Sequence, residues 1–388
     1  MKYRKFGKTD WNVSALGFGI MRLPIVENDK SRIDETEAIK MIRHAIDEGI
    51  NYIDTAYPYH GGNSELVLAK ALKDGYREKT RIATKLPSWK IEETKDFDKF
   101  FNEQLEKLEV DSIDFYLFHT LNASMWKNIH ELGALKWAEE KKAEGKIGQI
   151  GFSFHDPLPV FKEIIDAYDW DFCQIQYNYM NEFEQAGTEG LEYAAAKGIP
   201  VVIMEPLLGG RLAVVPEPVL EIFDTTQEKR KPVDWALQWL WSKPEVTVIL
   251  SGMSTMQQLE ENIALAEKSK IGLLNTEELA LFDKVRSKLD ELSPIQCTKC
   301  EYCLPCPQDI EIPRLLGLFN SMVMHDYVAG TRFTYKMMVK DEQKADNCIA
   351  CLECEGKCPQ HLPISEWMNV IHETVGEGKH YREVEYPA

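Results

Sequence analysis

Arg81-Ile82-Ala83-Thr84-Lys85-Leu86 is an apolar run ending in a lysine, and the amphipathic stretch 97–108 follows it. Ile113-Asp114-Phe115-Tyr116-Leu117-Phe118-His119 then returns as a second apolar run, this one ending in a histidine. Two short β-rich runs separated by one helical pattern make a β-α-β unit. The same alternation extends in both directions. Strand patterns fall at 15–19, 51–56, 81–86, 113–119, 148–153, 172–177, 200–205 and 246–251. Helical patterns follow them at 35–48, 64–73, 97–108, 129–144, 158–167, 188–197, 232–241 and 255–266. Eight strand-helix pairs predict a closed parallel (β/α)8 barrel. An open doubly wound sheet is the rival, and the chain lacks the Gly-x-Gly-x-x-Gly phosphate turn that such a sheet would carry, since Gly17-Phe18-Gly19-Ile20-Met21 does not complete it.

A further helix is expected at 276–289, and Ser293-Pro294 breaks the chain after it. The domain division expected from the sequence is therefore a barrel over 1–290 and a smaller, mostly helical module over 291–388. That module holds eight of the nine cysteines. Cys297, Cys300, Cys303 and Cys306 precede Pro307, and Cys348, Cys351, Cys354 and Cys358 precede Pro359. Three cysteines at C-x2-C-x2-C spacing let one loop wrap a compact inorganic core, and the cysteine before proline serves the neighbouring core. Structural zinc also takes four thiolates, but zinc ribbons pair two separated knuckles rather than crowding three cysteines into one loop. Two [4Fe-4S] clusters are expected, one on Cys297, Cys300, Cys303 and Cys358, the other on Cys348, Cys351, Cys354 and Cys306. The first run is one residue short before its last cysteine, which is tolerable if Cys306 reaches across. Cys173, alone in an apolar run, reads as a buried inert thiol.

At 388 residues the chain has room for a barrel plus a module, and its composition of 44% apolar and 28% charged residues is that of a globular protein. A net charge of -18 disfavours nucleic acid and anionic membranes as partners. The N-terminus lacks a signal-peptide pattern and no apolar run approaches a membrane span, so a cytoplasmic location is expected, where clustered thiols bind metal.

Active sites of such barrels lie at the C-terminal ends of the strands. Asp54 and Tyr59 follow the second strand, Lys85 ends the third and His119 the fourth. Together they form a proton-delivery set. An ammonium beside a phenol favours the phenolate and lowers its pKa, a carboxylate holds the ammonium in place, and a neutral imidazole orients the substrate oxygen.

Gly49-Ile50-Asn51-Tyr52-Ile53-Asp54-Thr55-Ala56-Tyr57-Pro58-Tyr59, Ala83-Thr84-Lys85-Leu86 and Asp114-Phe115-Tyr116-Leu117-Phe118-His119 together resemble the aldo-keto reductase family. Ile150-Gly151-Phe152-Ser153, Gln174-Ile175-Gln176-Tyr177, Pro206-Leu207-Leu208-Gly209-Gly210-Arg211 and Leu259-Glu260-Glu261-Asn262 continue the resemblance in order. With the cysteine module, the chain is similar to the iron–sulfur-bearing branch of that family. The resemblance implies an oxidoreductase acting on a carbonyl/alcohol pair, with Tyr59 as general acid/base, Lys85 and Asp54 as its tuning pair and His119 as substrate orienter. It implies NAD(P)H bound with its amide at Ser153 and Gln174, its pyrophosphate on Leu207, Gly209, Gly210 and Arg211, and its adenosine end at Gly252, Gln258, Glu261 and Asn262. Three positions depart from the family pattern. Phe154 replaces the usual Asn, Met204 replaces the stacking aromatic, and Gly252 and Gln258 replace basic residues that grip a 2′-phosphate. These departures leave NADH, NADPH and a flavin all open, and the clusters imply electron relay to a ferredoxin-like partner. A non-catalytic electron-transfer or scaffold subunit, or a plain reductase with structural clusters, is the alternative.

Overall fold

The computed structural model describes residues 1–387 except Asn28, Thr298, Lys299, Cys300 and Pro359. The chain divides into two compact units, Met1–Leu208 with Asp234–Asn275, and Gly209–Val233 with Thr276–Ala388.

The first unit contains a short antiparallel hairpin, β1 (Tyr3–Lys5) and β2 (Asn12–Ser14), and eight further strands. These are β3 (Leu16–Gly19), β4 (Tyr52–Asp54), β5 (Arg81–Leu86), β6 (Ile113–Leu121), β7 (Ile147–Phe154), β8 (Phe172–Gln176), β9 (Val201–Met204) and β10 (Val246–Ser251). Each pairs in parallel with the next, and β10 closes on β3, so the expected closed barrel is the fold. Closure leaves the barrel itself without an edge strand. Because every strand is covered by helices outside and by side chains inside, the strands read as nearly continuous apolar runs.

The hairpin seals the barrel's lower end. Phe6, fully buried, packs on Tyr52, Phe115 and Phe172, which begin β4 and β8 and lie early in β6; the ring centroids are 6.5, 4.9 and 5.9 Å away. With the floor closed, the upper ends of the strands are left for chemistry. Nothing in the repeat pattern announced this hairpin, because three-residue strands carry too little periodicity to read.

Helix ends follow local chemistry. Asp34 accepts from the Glu37 N–H and Thr255 from the Gln258 N–H, capping Glu35–Asp47 and Met256–Glu267. The single helix expected at 129–144 is two, Ala123–Glu131 and Ala134–Ala143. Gly133 between them takes φ 79°, a left-handed conformation that glycine adopts without steric cost and that breaks the helix. Trp235, Trp239 and Trp241 pack inward from Pro232–Trp241, and the Trp241 indole donates to the Ala15 carbonyl. Cys173 is fully buried in β8, and burial pushes its thiol pKa up.

The second unit is helical, with Thr276–Leu292, Ile312–Met324, Val328–Met338 and Ile364–Ile371 as its main elements. Its apolar core includes Leu315, Phe319, Trp367, Met368 and Ile371, and the cysteines Cys303, Cys306, Cys348, Cys354 and Cys358 pack against or within it. No helix among the described residues is long and apolar enough to cross a membrane.

Candidate active site and cluster cavities

Parallel register brings the proton-active residues to one end of the barrel. Gly19 pairs with Asp54, Asp54 with Ala83, Lys85 with Leu117 and Ser153 with Gln174. Asp54, Lys85 and His119 are all nearly inaccessible, at 3%, 1% and 8% exposure. Lys85 donates from Nζ to Asp54 Oδ1 at 2.5 Å and to the Thr55 carbonyl at 2.7 Å. Asp54 Oδ2 accepts from Gln174 Nε2 at 3.1 Å. The Lys85 ammonium also lies 5.1 Å from the Tyr59 ring centre and acts electrostatically on its phenol, and the Tyr59 ring meets His119 edge-on at 6.1 Å. Tyr57, two residues earlier, turns away to Glu103.

A brace of buried polar groups lies behind Lys85. Glu65 Oε1 accepts from Thr84 Oγ1 and Gln104 Nε2, each at 2.7 Å. Gln104 also donates to the Lys85 carbonyl, and Tyr116 donates to Gln104 Oε1 at 2.7 Å. This network ties down the strand from which Lys85 projects, while Glu65 Oε2 makes no hydrogen bond and faces the Lys107 ammonium at 3.9 Å. Its residues are too scattered in sequence to have been read as part of the site.

Electrostatics refine the sequence reading. Burial would lower the Lys85 ammonium, but Asp54 and Tyr59 outweigh it and the net direction is up. Burial raises the Asp54 carboxyl, and Lys85 and Gln174 pull it back down. The expected lowering of the Tyr59 pKa is corrected. Burial raises it, and Lys85 offsets that only in part. The reason is desolvation, which penalises a phenolate packed among protein atoms more than one nearby ammonium stabilises it. His119 is pushed well down by burial and by Lys85, which leaves it neutral, and its Nδ1 is buried without a protein partner.

Of the residues mapped to a nicotinamide, Ser153 in β7 and Gln174 in β8 are register partners. Ser153 Oγ accepts from the Thr120 N–H at 2.7 Å. Phe154 faces outward and packs on Phe161, so its aromatic ring belongs to the helix layer rather than the mouth. Asn262 is buried and donates to Ser251 Oγ, and Gln258 Oε1 turns back to the Ser254 N–H. Glu261 lies one turn beyond Gln257, which donates to it. At Gly252 the structure supplies a cation that sequence could not locate. A Cβ there would lie 3.2 Å from Arg22 Cδ, so an arginine from the loop after β3 covers the position. The two residues are 230 positions apart and only barrel closure joins them. Leu207 belongs to the first unit, whereas Gly209, Gly210 and Arg211 belong to the second. There Arg211 Nη1 donates to Ser321 Oγ at 3.0 Å, and its guanidinium lies 5.8 Å from the Tyr327 ring centre. His60 uses both ring nitrogens structurally, donating to the Lys30 carbonyl and accepting from the Leu23 N–H.

In the second unit the cysteines surround two cavities of about 320 Å³ each, counting space open to solvent. Cys297, Cys303 and Cys358 line one. Cys306, Cys348, Cys351 and Cys354 line the other. Cys300 lies outside the described residues. Each run thus sends its last cysteine to the other run's cavity, and Ile364 lines both. Among the described residues no three His, Cys, Asp or Glu side chains converge on a single-ion site. Thiolates spread around an open volume are the donor set a multi-iron core takes.

Comparison with known proteins agrees with this organisation. The aldo/keto reductase family profile matches residues 15–287, and a 4Fe-4S dicluster domain profile matches residues 296–363. An L-galactose dehydrogenase of Arabidopsis thaliana is 30% identical, over 70% of this chain and 91% of its own. An NADH-specific methylglyoxal reductase of Escherichia coli is 27% identical, over 68% of this chain and 93% of its own. An aldo-keto reductase of Bacillus halodurans, solved in its holo form, superposes with a TM-score of 0.62 at 26% identity, over 74% of this chain and 96% of that one. On the barrel, the profile and these relatives together, the chain belongs to the aldo/keto reductase family and carries a 4Fe-4S dicluster domain C-terminal to its barrel in sequence.

Proposed function

We propose that the protein interconverts a carbonyl and an alcohol at the barrel mouth, with Tyr59 as general acid/base. The observation that carries this reading is the Asp54–Lys85–Tyr59 chain, anchored by Gln174 and closed on its far side by His119. Lys85, kept charged by Asp54, stabilises negative charge on the Tyr59 oxygen as the phenol gives its proton to the carbonyl oxygen. Neutral His119 directs a ring nitrogen at that oxygen and orients it. The buried unpaired Nδ1 supports a role in meeting a ligand's polar atom, since a buried polar atom without a hydrogen bond costs free energy that a ligand can recover.

A nicotinamide held at Ser153 and Gln174, and continued along Gly252, Gln258, Glu261 and Asn262, supplies the hydride. Buried, mutually paired Ser153 and Gln174 fit an amide's donor and acceptor. Leu207, Gly209, Gly210 and Arg211 are assigned to the pyrophosphate. Two relatives act on small carbonyl compounds or sugars by their names, which supports a small-molecule substrate.

Two [4Fe-4S] clusters, one on Cys297, Cys300, Cys303 and Cys358 and one on Cys306, Cys348, Cys351 and Cys354, supply single-electron transfer. The shared Ile364 wall supports exchange between them, and the exposed Cys351 supports exchange with an outside redox partner. Tyr59→Phe tests the reading. It should cut carbonyl reduction by about 10²–10⁴-fold while leaving the cluster EPR signals intact, and undiminished turnover would overturn it.

A further inference from the structure

At the ends of β7 to β9, a chain of side-chain amides has its polarity set from the backbone. Asn178 Oδ1 accepts from the N–H groups of Met180 and Asn181 at 3.0 and 3.1 Å, so its Nδ2 must donate. It donates to Asn181 Oδ1, which also accepts from Gln176 Nε2 at 3.1 Å. Gln176 Oε1 therefore accepts, from Gln185 Nε2 at 2.7 Å. That leaves Gln185 Oε1 facing His155 Nδ1 at 3.2 Å, and an oxygen there can only accept. The proton of His155 must sit on Nδ1, and Nε2 carries a lone pair.

The same chain reaches Glu205, one residue past β9, whose carbonyl accepts from Asn178 Nδ2 at 3.2 Å and whose carboxylate acts electrostatically on both His155 and Tyr59. Burial lowers His155, keeping it neutral despite Glu205. Glu205 and Gln185 both hold left-handed backbones, at φ 54° and 56°. Non-glycine residues pay strain for that conformation, and such residues concentrate at functional sites. The ends of β7 and β9 therefore carry two hydrogen-bond acceptors, a lone pair and a carboxylate.

We propose that His155 Nε2 and Glu205 form an acceptor pair that selects neutral, hydroxyl-bearing carbonyl substrates over apolar ones and over anions. Hydroxyl donors satisfy both acceptors. An alkyl group leaves them unpaired, and a substrate carboxylate meets Glu205 with like charge. This inference rests on carbonyl reduction at Tyr59.

Reduction of glyceraldehyde, propanal and glyoxylate by the full holoprotein tests it. Wild type should favour glyceraldehyde over propanal in kcat/KM by about tenfold or more. His155→Phe should bring that ratio down towards one, and Glu205→Gln should raise glyoxylate relative to glyceraldehyde. Gln185→Leu keeps the imidazole but frees its tautomer, so the histidine ¹⁵N shifts should change from Nδ1–H to a mixture and the ratio should fall partway. Equal use of glyceraldehyde and propanal by wild type, variants that scale all three substrates alike, or an Nε2–H signal in wild type would each overturn the proposal. Should no carbonyl turn over, the reductase reading fails by itself. Calorimetry then decides the acceptor pair, which stands if wild type binds glyceraldehyde and His155→Phe does not, and falls if the two bind alike.

Discussion

Replacing Asp54 with Asn leaves the Lys85 ammonium inside the barrel without its counter-charge. Both residues are almost fully enclosed, and their contact is 2.5 Å. Removing one partner of such a pair costs about 3–5 kcal/mol, because an uncompensated buried charge remains. The pH dependence follows from the direction of the lysine shift. In the native protein Asp54 and Tyr59 hold Lys85 above its ordinary value, so its contribution is complete at neutral pH and is lost only as pH rises through that elevated pKa. In Asp54→Asn the raising influence falls, burial dominates, and the lysine drops below its unfolded value of about 10.4. The penalty is then full below the new folded pKa and fades as pH climbs towards the unfolded one. With a urea m-value of about 3 kcal/mol/M, the midpoint should fall by about 1–1.7 M at pH 7 and by clearly less near pH 10. Urea unfolding of the full chain, kept anaerobic and followed by tryptophan fluorescence, measures this. Adding Lys85→Met to Asp54→Asn should restore most of the loss, since an apolar replacement removes the stranded charge. A midpoint within about 0.3 M of wild type, a penalty equal at both pH values, or a double variant no better than the single would refute the reasoning.

Four further outcomes follow from the same structure. With burial raising Tyr59, the reduction rate should hold through neutral pH and fall only in the alkaline range as the phenol ionises; a fall centred near pH 7 in a kcat/KM profile would contradict this. Tyr59→Phe should separate lost turnover from intact cluster spectra. Cys306→Ser and Cys358→Ser should each remove about half the bound iron. Adding Cys348→Ser to Cys306→Ser should remove little more, whereas adding Cys297→Ser should remove nearly all, and iron analysis with EPR distinguishes this crossed pattern from one cluster per run. Phe6→Ala empties the barrel floor against Phe115 and Phe172 and should cost about 3–5 kcal/mol of barrel stability, read as a lowered unfolding midpoint with cluster absorbance unchanged.

The amino-acid sequence by itself determined the eightfold alternation, the strand ends that carry Asp54, Lys85 and His119, and the cysteine spacing. Those features are local. A strand declares itself by a run of apolar residues, a cluster loop by three thiols at fixed spacing, and neither needs a distant partner to be read. Arg81–Leu86 and Val246–Ser251 accordingly have the bounds their residues imply. Gly133, by contrast, could not be told from a tolerated helix glycine until its φ was known. The tertiary structure alone decided whatever depends on closure and desolvation. Arg22 reaches Gly252 because β3 and β10 are neighbours in a closed ring. Tyr59 is raised rather than lowered because the packing around it desolvates its phenol. The tautomer of His155 descends from two backbone N–H groups through four amides drawn from separate segments. Residue type announces which groups can carry a proton. Only packing sets the dielectric around them and the direction of each hydrogen bond, and those two quantities determine which groups do.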